Sequence, residues 1–560
     1  MKETTAALGD VQPDLAKPNT EHQEFLGYED PHRAALEDNP EHAEKLTLSV
    51  ALSALFLGTS FTGPIIFGFI LVTPILVQLG QKLGGATITF WIPSGWGAAA
   101  AVGFSIAGRL SDIFGTISVA YAGLSEILPN KYRGIGLAWT EFNLSSWAVP
   151  GTLLANAMLS NASWRIMFYI AIGYGAVSMI GTFFVYFPPS HPRPDGKTKW
   201  QQFKELDFIG AFLFVAGLAV FLFGLNSGGS QYPWKSGATL APLILGLFAF
   251  LGAFAYDFAI PKDPLFPWYL FRDFREFSAL PILVFVAGMV FFAASALNAQ
   301  TILYLYTADP IKIGLYSLPS GAAQLIGGVF VPALVSYIKH VNYQLIGAVF
   351  MQTLFFGLAA TITPNNINWL MACQFLAMFA FGWITLNCWE HIRKLLADPN
   401  DLADTTASLN VPQKDLGVAI GLIGTFRSVG GSVGTVIFSS IFTQVAAKHV
   451  AAGVSKAALE GGVSAASIGE VIEAVELTLV GVPGATANLT DVPASVFEAC
   501  IDAARLGYAY GFRMTWIASI PFGIIAILCA IAVRDCSTYF TNHVEVRLNE
   551  KVGGKYEGNE

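Results

Sequence analysis

Charge is scarce in this sequence. Asp, Glu, Lys and Arg make up only 12% of its 560 residues, about half the share usual in a soluble domain. Hydrophobic residues make up 54%, and mean hydropathy is +0.55. A chain of this length forms no water-excluding core large enough to hide that much apolar surface. Composition therefore dictates an all-α polytopic membrane protein. Cysteine is scarce too: Cys373, Cys388, Cys500, Cys529 and Cys536 show no CxxC or metal-ligand spacing, so they read as small buried hydrophobes. The phosphate-cradling loop GxxxxGK[ST] is absent, which argues against ATP as the energy source. There is no HExxH helix and no GxSxG in a strand-to-helix setting, so no catalytic residue, cofactor or metal is expected and the chain does not read as an enzyme. Without a basic domain, nucleic acid is not a partner either.

The formal net charge of −8 is uneven. Residues 1–45 include GYEDPHRAALEDNPEHAEK, acidic and short of apolar residues, and are expected to form a disordered cytosolic tail. They lack the basic and short apolar regions of a cleaved signal peptide, so Met1 is expected to stay in the cytosol.

A helix needs about 20 residues to cross about 30 Å of hydrocarbon. Apolar runs of that order lie at 46–74, 86–107, 135–159, 164–187, 207–226, 238–257, 278–306, 313–338, 342–362, 368–389, 416–443 and 508–533, about twelve in all. Alternate connections are rich in basic residues: Arg109, Lys131 and Arg133; Arg193, Lys197, Lys199 and Lys204; Lys262, Arg272 and Arg275; Lys339; Arg393, Lys394 and Lys414. The intervening ones hold only Lys82, Arg165, Lys235 and Lys312, with none in TPNNIN. The richer set is expected in the cytosol, with both termini, and the destination is expected to be the plasma membrane. The long connection 444–507 then lies outside. It carries the sequon Asn488-Leu489-Thr490, a candidate glycosylation site; Asn161-Ala162-Ser163 is close to the membrane, and Asn143-Leu144-Ser145 is expected to be buried.

Transporters are often built from repeated bundles. Residues 278–533 hold six runs, but 46–187 hold four, with an extra pair at 207–257 after a cytosolic linker, 188–206, and a cytosolic tail at 534–560. In the first bundle the turn GRLSDIFG is followed by only Thr116–Leu128 before PNKYRG. That stretch reaches about 20 Å as helix, too short to cross. It reads as the remnant of a removed helical hairpin or as a short re-entrant segment. Losing an even number of crossings leaves later orientations unchanged.

GRLSDIFG resembles the loop signature of the major facilitator superfamily. PNKYRGIGLAWTEFN, LDFIGAFLFVAG, GLNSGGSQYPWKS, LPSGAAQLIGG and GLIGTFRSVGGSVG together resemble the fungal trichothecene efflux pump family, a relative of the siderophore transporters. The likeness covers about residues 46–535. It implies the major facilitator fold, with fourteen spans in the family against about twelve here (4 + 2 + 6), and proton-coupled export of drugs and toxins by alternating access. Two differences stand out: Thr116 and Ile117 occupy the places of two basic residues that follow Gly115 in the superfamily pattern, and the third and fourth helices are missing. In this superfamily the fourth helix lines the central cavity.

Candidate functional residues follow. Gly108, Arg109, Asp112 and Gly115 form the turn motif. Arg109 and Asp112 share a helical face and serve either as a gate, whose contacts form in one access state and break in the other, or as a positive-inside anchor. Glu141 lies inside an apolar run, where an ionised side chain costs about 2.5–3.5 kcal/mol at mid-membrane. It is a candidate proton carrier or a neutral, hydrogen-bonded structural residue. Arg427, among Gly424, Gly430 and Gly431, is the most conspicuous deep cation, suited to an anionic group or a carboxylate. Pro150-Gly151 resembles a degenerate antiporter motif permitting a bend, or serves ordinary packing. Asn298, Gln300, Gln324 and Gln352 either line a cavity or join helices. The function expected is export of small amphiphilic toxins or drugs against protons. The competing readings are siderophore-iron transport and a membrane protein left incompetent for transport by loss of its hairpin.

Overall fold

The computed structural model describes residues 48–60, 62–65, 69–83, 91–114, 124, 128, 130–186, 199–204, 206–228, 232–260, 264–272, 274–333, 340–395, 416–482, 484–486, 489 and 492–533. Its helices are α1 (Leu48–Ser60), α2 (Leu76–Leu83), α3 (Trp91–Phe114), α4 (Asn130–Asn161), α5 (Arg165–Val185), α6 (Phe208–Ser227), α7 (Gly237–Ala259), α8 (Ala279–Leu305), α9 (Pro310–Ala333), α10 (Val341–Leu358), α11 (Ile367–Leu395), α12 (Leu416–Glu460), α13 (Ile468–Leu479) and α14 (Ala494–Ala532), with short turns between them. Among the described residues, eight helices are long and apolar enough to cross a bilayer unaided: α5, α6, α7, α8, α10 with its following turn, α11, α12 and α14. The helices α3, α4 and α9 have the length, at 24, 32 and 24 residues. They carry more glycine and polar residues because they face other helices rather than lipid.

Two stretches depart from the expectation. The first apolar run is not one helix throughout: helix is described at Leu48–Ser60 and Thr62–Ile65, and a 3₁₀ turn, Thr73–Ile75, with Pro74 leads into α2. Proline supplies no backbone donor, so a helix restarts there instead of continuing. The outer connection 444–507 is not a plain loop. α12 runs on to Glu460, α14 begins at Ala494, and α13 packs against both. Small residues let the two long helices touch along this stretch: a Cβ on Gly507 would sit 2.7 Å from the Val450 nitrogen, and one on Gly453 would sit 3.2 Å from the Ala503 carbonyl.

Among the described residues the core is divided. One large cluster joins α6 through α14 with Ala101 of α3 and with Phe69. α3 packs chiefly on α12 and then on α6. Thr425 Oγ1 of α12 donates to the Ala101 carbonyl of α3 at 3.2 Å. Separate small clusters hold α1, α4 and α5, and Leu124 and Leu128 of the short segment join one of them with Val50, Leu57 and Tyr186. α4 in turn packs on α9 of the C-terminal half. Thus each side of the N-terminal half is attached to the C-terminal half more extensively than to the other side. α8 is the most enclosed helix, whereas Tyr169, Ile172, Met179, Phe183 and Phe184 of α5 face outward, as lipid contact requires.

The extra pair is an antiparallel hairpin. Asp207 Oδ1 caps α6 by accepting from the Gly210 amide at 2.8 Å, and Asp257 Oδ2 near the end of α7 accepts from the Phe266 amide at 3.0 Å. Gly246 lies directly on the Phe221 backbone, leaving no room for a Cβ. Gly246→Leu is therefore expected to push α6 and α7 apart, costing about 1–3 kcal/mol or more, read as a lower melting temperature of the detergent-purified protein.

In the outer cap, burial and then the Glu473 carboxylate push Glu476 above its ordinary pKa of 4.5. A carboxyl raised in the folded state binds its proton more tightly there than when unfolded, so the cap loses stability as pH rises from 4.5 through the folded value. After correction for the intrinsic pH dependence of amide exchange, protection in residues 494–507 is expected to be higher at pH 4.5 than at neutral pH, and Glu476→Gln to narrow that difference.

Candidate functional site

Glu141 lies eleven residues into α4, about 17 Å along the helix. It is 1% exposed, and Ser145 Oγ donates to its Oε1 at 3.1 Å. The opposite wall is glycine. A Cβ on Gly328 of α9 would stand 2.7 Å from Glu141 Cγ. On its other side, a Cβ on Gly382 of α11 would stand 2.6 Å from the Gly328 nitrogen. Three helices thus come to backbone contact around one carboxyl. The register that brings them there is regular: Gly314, Gly321 and Gly328 recur every seven residues on α9 and meet Leu153, Ala148 and Glu141 in descending order on α4. That is antiparallel packing along a stripe of small residues. Asn143, two residues on, accepts at Oδ1 from the Tyr174 hydroxyl at 3.0 Å and so ties α4 to α5.

Arg427 lies eleven residues into α12, also about 17 Å along its helix, and is 5% exposed. Its guanidinium carbon is 5.3 Å from the ring centre of Phe381 on α11 and 5.8 Å from that of Phe292 on α8, within cation–π range. Phe381 stacks on Phe291 with ring centres 3.6 Å apart. Phe292 meets Phe69 edge-on at 4.8 Å and Trp96 of α3 at 6.0 Å. No carboxylate among the described residues pairs with Arg427, and its Nε has no hydrogen-bond partner among them. A buried cation held mainly by aromatic faces retains the capacity to take an acceptor from an incoming molecule.

The two sites share α11. Phe381 faces Arg427, and the next residue, Gly382, backs the glycine that faces Glu141. Movement of that turn reaches both.

The remaining expected residues fall as follows. Gly108 is buried, and a Cβ on Gly421 of α12 would stand 3.1 Å from its Cα. Arg109 and Asp112 lie in the helical backbone at the end of α3, with side chains outside the described residues; Gly115 and Asn488 lie outside them altogether. α4 runs through Pro150 without interruption, and a Cβ on Gly151 would stand 2.9 Å from Ile70. Asn298 Nδ2 donates to Ser320 Oγ at 3.2 Å and joins α8 to α9, while Gln300 bonds within its own helix. Gln324 and Gln352 are buried. The aromatic ring set and the glycine wall went unnoticed in sequence, although the seven-residue glycine spacing was there to be read.

Residues 112–556 match the family model described as the fungal trichothecene efflux pump, TRI12. The chain belongs to that family. The MFS-type transporter prx5 of Penicillium rubens is 30% identical over 446 residues, covering 78% of this chain and 77% of that protein. The trichothecene efflux pump TRI12 of Fusarium sporotrichioides is 24% identical over 441 residues, covering 76% and 70%, and its namesake from Trichoderma arundinaceum is 25% identical over 441 residues, covering 75% and 69%. This TRI12 family member is accordingly a membrane transporter of the efflux type with the major facilitator fold.

Gly328→Val places two methyl groups where Glu141 now lies. The expected outcome is a folded protein, monodisperse by size-exclusion chromatography, whose export falls about tenfold or more through 1–3 kcal/mol of overpacking at the three-helix contact.

Proposed function

We propose that this transporter exports small amphiphilic molecules of trichothecene-like character from the cytosol in exchange for protons. Glu141 carries the proton, and Arg427 with its aromatic neighbours meets the substrate. The observation that supports this most is the pairing of a buried carboxyl and a carboxylate-free buried cation on opposite sides of one turn of α11.

Apolar surroundings favour the neutral form of a carboxyl, and opening to water on either side favours its ionisation. Protonation state then biases which packing of α4 on α9 is preferred. Through Phe379–Gly382 that preference reaches the ring under Arg427, so cargo and proton select opposite access states. The flat rings of Phe292, Phe381 and Trp96 suit an apolar skeleton, and the guanidinium suits an oxygen on it. In this reading Arg109 and Asp112 form the gate at the cytosolic end of α3, Pro150-Gly151 bends α4, both termini are cytosolic, Asn488 takes a glycan, and the plasma membrane is the site of action. The bundle boundaries at 46–187, 207–257 and 278–533 mark the moving parts.

The test is export of a labelled trichothecene from proteoliposomes carrying an imposed pH gradient. Wild type is expected to respond to the gradient. Glu141→Gln is expected to abolish that response while retaining substrate exchange, and Arg427→Gln to raise KM about tenfold, the loss of one charge-assisted contact. A gradient response surviving in Glu141→Gln refutes the proton role. Uptake of a ferric siderophore without toxin export refutes the substrate class. Activity appearing only after a helical hairpin is inserted between Gly115 and Thr116 shows that the chain needs the missing pair.

A further inference from the structure

We propose that this transporter holds one acyl chain of a phospholipid in an aromatic cavity between the extra helix pair and the C-terminal bundle, lined by neither Arg427 nor Glu141. The cavity has a volume of about 320 Å³, and no polar surface lines it. Its walls are Phe214 of α6, Phe250 and Phe254 of α7, Phe285 of α8, and Phe426 and Val429 of α12. The two hydroxyls on its border are already engaged: Ser278 Oγ donates to the Phe271 carbonyl at 2.9 Å, and Thr425 Oγ1 donates to the Gly421 carbonyl at 2.8 Å. A ligand with a polar centre would be desolvated there without compensation. Hydrocarbon would not.

Position narrows the occupant further. Phe285 is six residues from the start of α8, Phe250 nine from the end of α7, and Val429 thirteen from the start of α12. The cavity therefore lies roughly 9–20 Å from those helix ends, the depth of acyl chains in a single leaflet. It opens through Leu251, Phe258 and Ile282, which are 53%, 43% and 37% exposed on the side that faces the bilayer. Next in sequence to two lining residues the chain supplies cations. Phe271 and Ser278 both border the cavity and are hydrogen-bonded to each other, which keeps both ends of the intervening segment at the lining. That segment carries Arg272 and Arg275, both exposed, with Arg275 Nε donating to the Ala532 carbonyl at 3.2 Å. A tail in the ring-lined slot leaves its phosphate at the level of these guanidinium groups, and basic clusters at such a depth recognise lipid phosphates. The structure thus assigns the occupant to phospholipid rather than to sterol, whose single hydroxyl makes no use of two cations.

Because the assignment refers to the leaflet at the Arg272 end, it stands whichever way the chain is oriented and whatever the cargo. The test uses the full chain in liposomes containing a phospholipid with a photoreactive diazirine near the middle of one acyl chain, with a diazirine sterol in parallel. Phospholipid attachment is expected on peptides containing Phe254, Ile282 or Phe426. Ile282→Trp, which narrows the mouth, is expected to lower that attachment about tenfold while attachment to Phe183 and Phe184 on the outer face of α5 is unchanged. Arg272→Gln, at an exposed position, is expected to lower it about threefold to fivefold. Attachment spread evenly over α5 and the cavity peptides, insensitivity to Ile282→Trp, insensitivity to Arg272→Gln, or stronger labelling of the cavity by the sterol would each overturn the assignment.

Discussion

Backbone contact between helices, obtained by removing side chains, is the constraint on which the rest of this structure depends. Within lipid there is no hydrophobic drive to bring two apolar helices together, so association rests on van der Waals contact and on polar groups that find partners. Gly288 of α8 illustrates the consequence: a Cβ there would stand 2.5 Å from the carbonyl of Arg427 on α12. The same device places α9 and α11 against Glu141. Both ionisable residues of the candidate transport path are thus set into the tightest helix contacts instead of an open chamber. Any shift in protonation or occupancy at such a place alters packing directly, since close-packed interfaces switch between discrete arrangements more readily than they deform.

The division of the N-terminal half follows from what stands between α3 and α4. The family resemblance implies two further helices there; in this chain fifteen residues, 115–129, separate α3 from α4. Leu124 and Leu128 fold back onto α1 and α4, giving that small group part of a core, while α3 stays with α12 and α6. An N-terminal half that moves as one rigid body needs helices packed on both α3 and α4. Here the strongest attachments of each run across to the C-terminal half. In the proposed transport cycle, the contacts of α3 with α12 and of α4 with α9 are the ones available to transmit motion.

Much of this was legible in sequence because a bilayer imposes simple rules. Apolar length placed helix in each of the twelve stretches, although the first is broken and eight helices among the described residues are long and apolar enough to cross a bilayer. Glu141 and Arg427 stood out as charges in apolar runs. The 116–128 gap was visible as a run too short to cross. What sequence obscured was of two kinds. The extension of α12 beyond the bilayer reads KHVAAGVSKAALE, a mixture of alanine, glycine and charge that hydropathy treats as loop. It becomes helical because Ala446 and Val450 find Gly511 and Gly507 on α14. The partners of Arg427 were hidden for a different reason: Phe292 and Phe381 lie on α8 and α11, and Phe69 and Trp96, which pack on Phe292, lie about 200 positions earlier, and nothing in a one-dimensional pattern says that these elements converge.

At 45 residues, α12 is about 68 Å long, more than twice the thickness of bilayer hydrocarbon. Arg427 lies about 17 Å from one end, and the other end packs on α14 and α13. An unbroken rod of that kind works as a lever. Tilting its outer arm by pressing on the cap swings the guanidinium within its ring of phenylalanines, with no need for anything to enter the pore. The helices packed on the far arm therefore have a mechanical handle on the packing around Arg427.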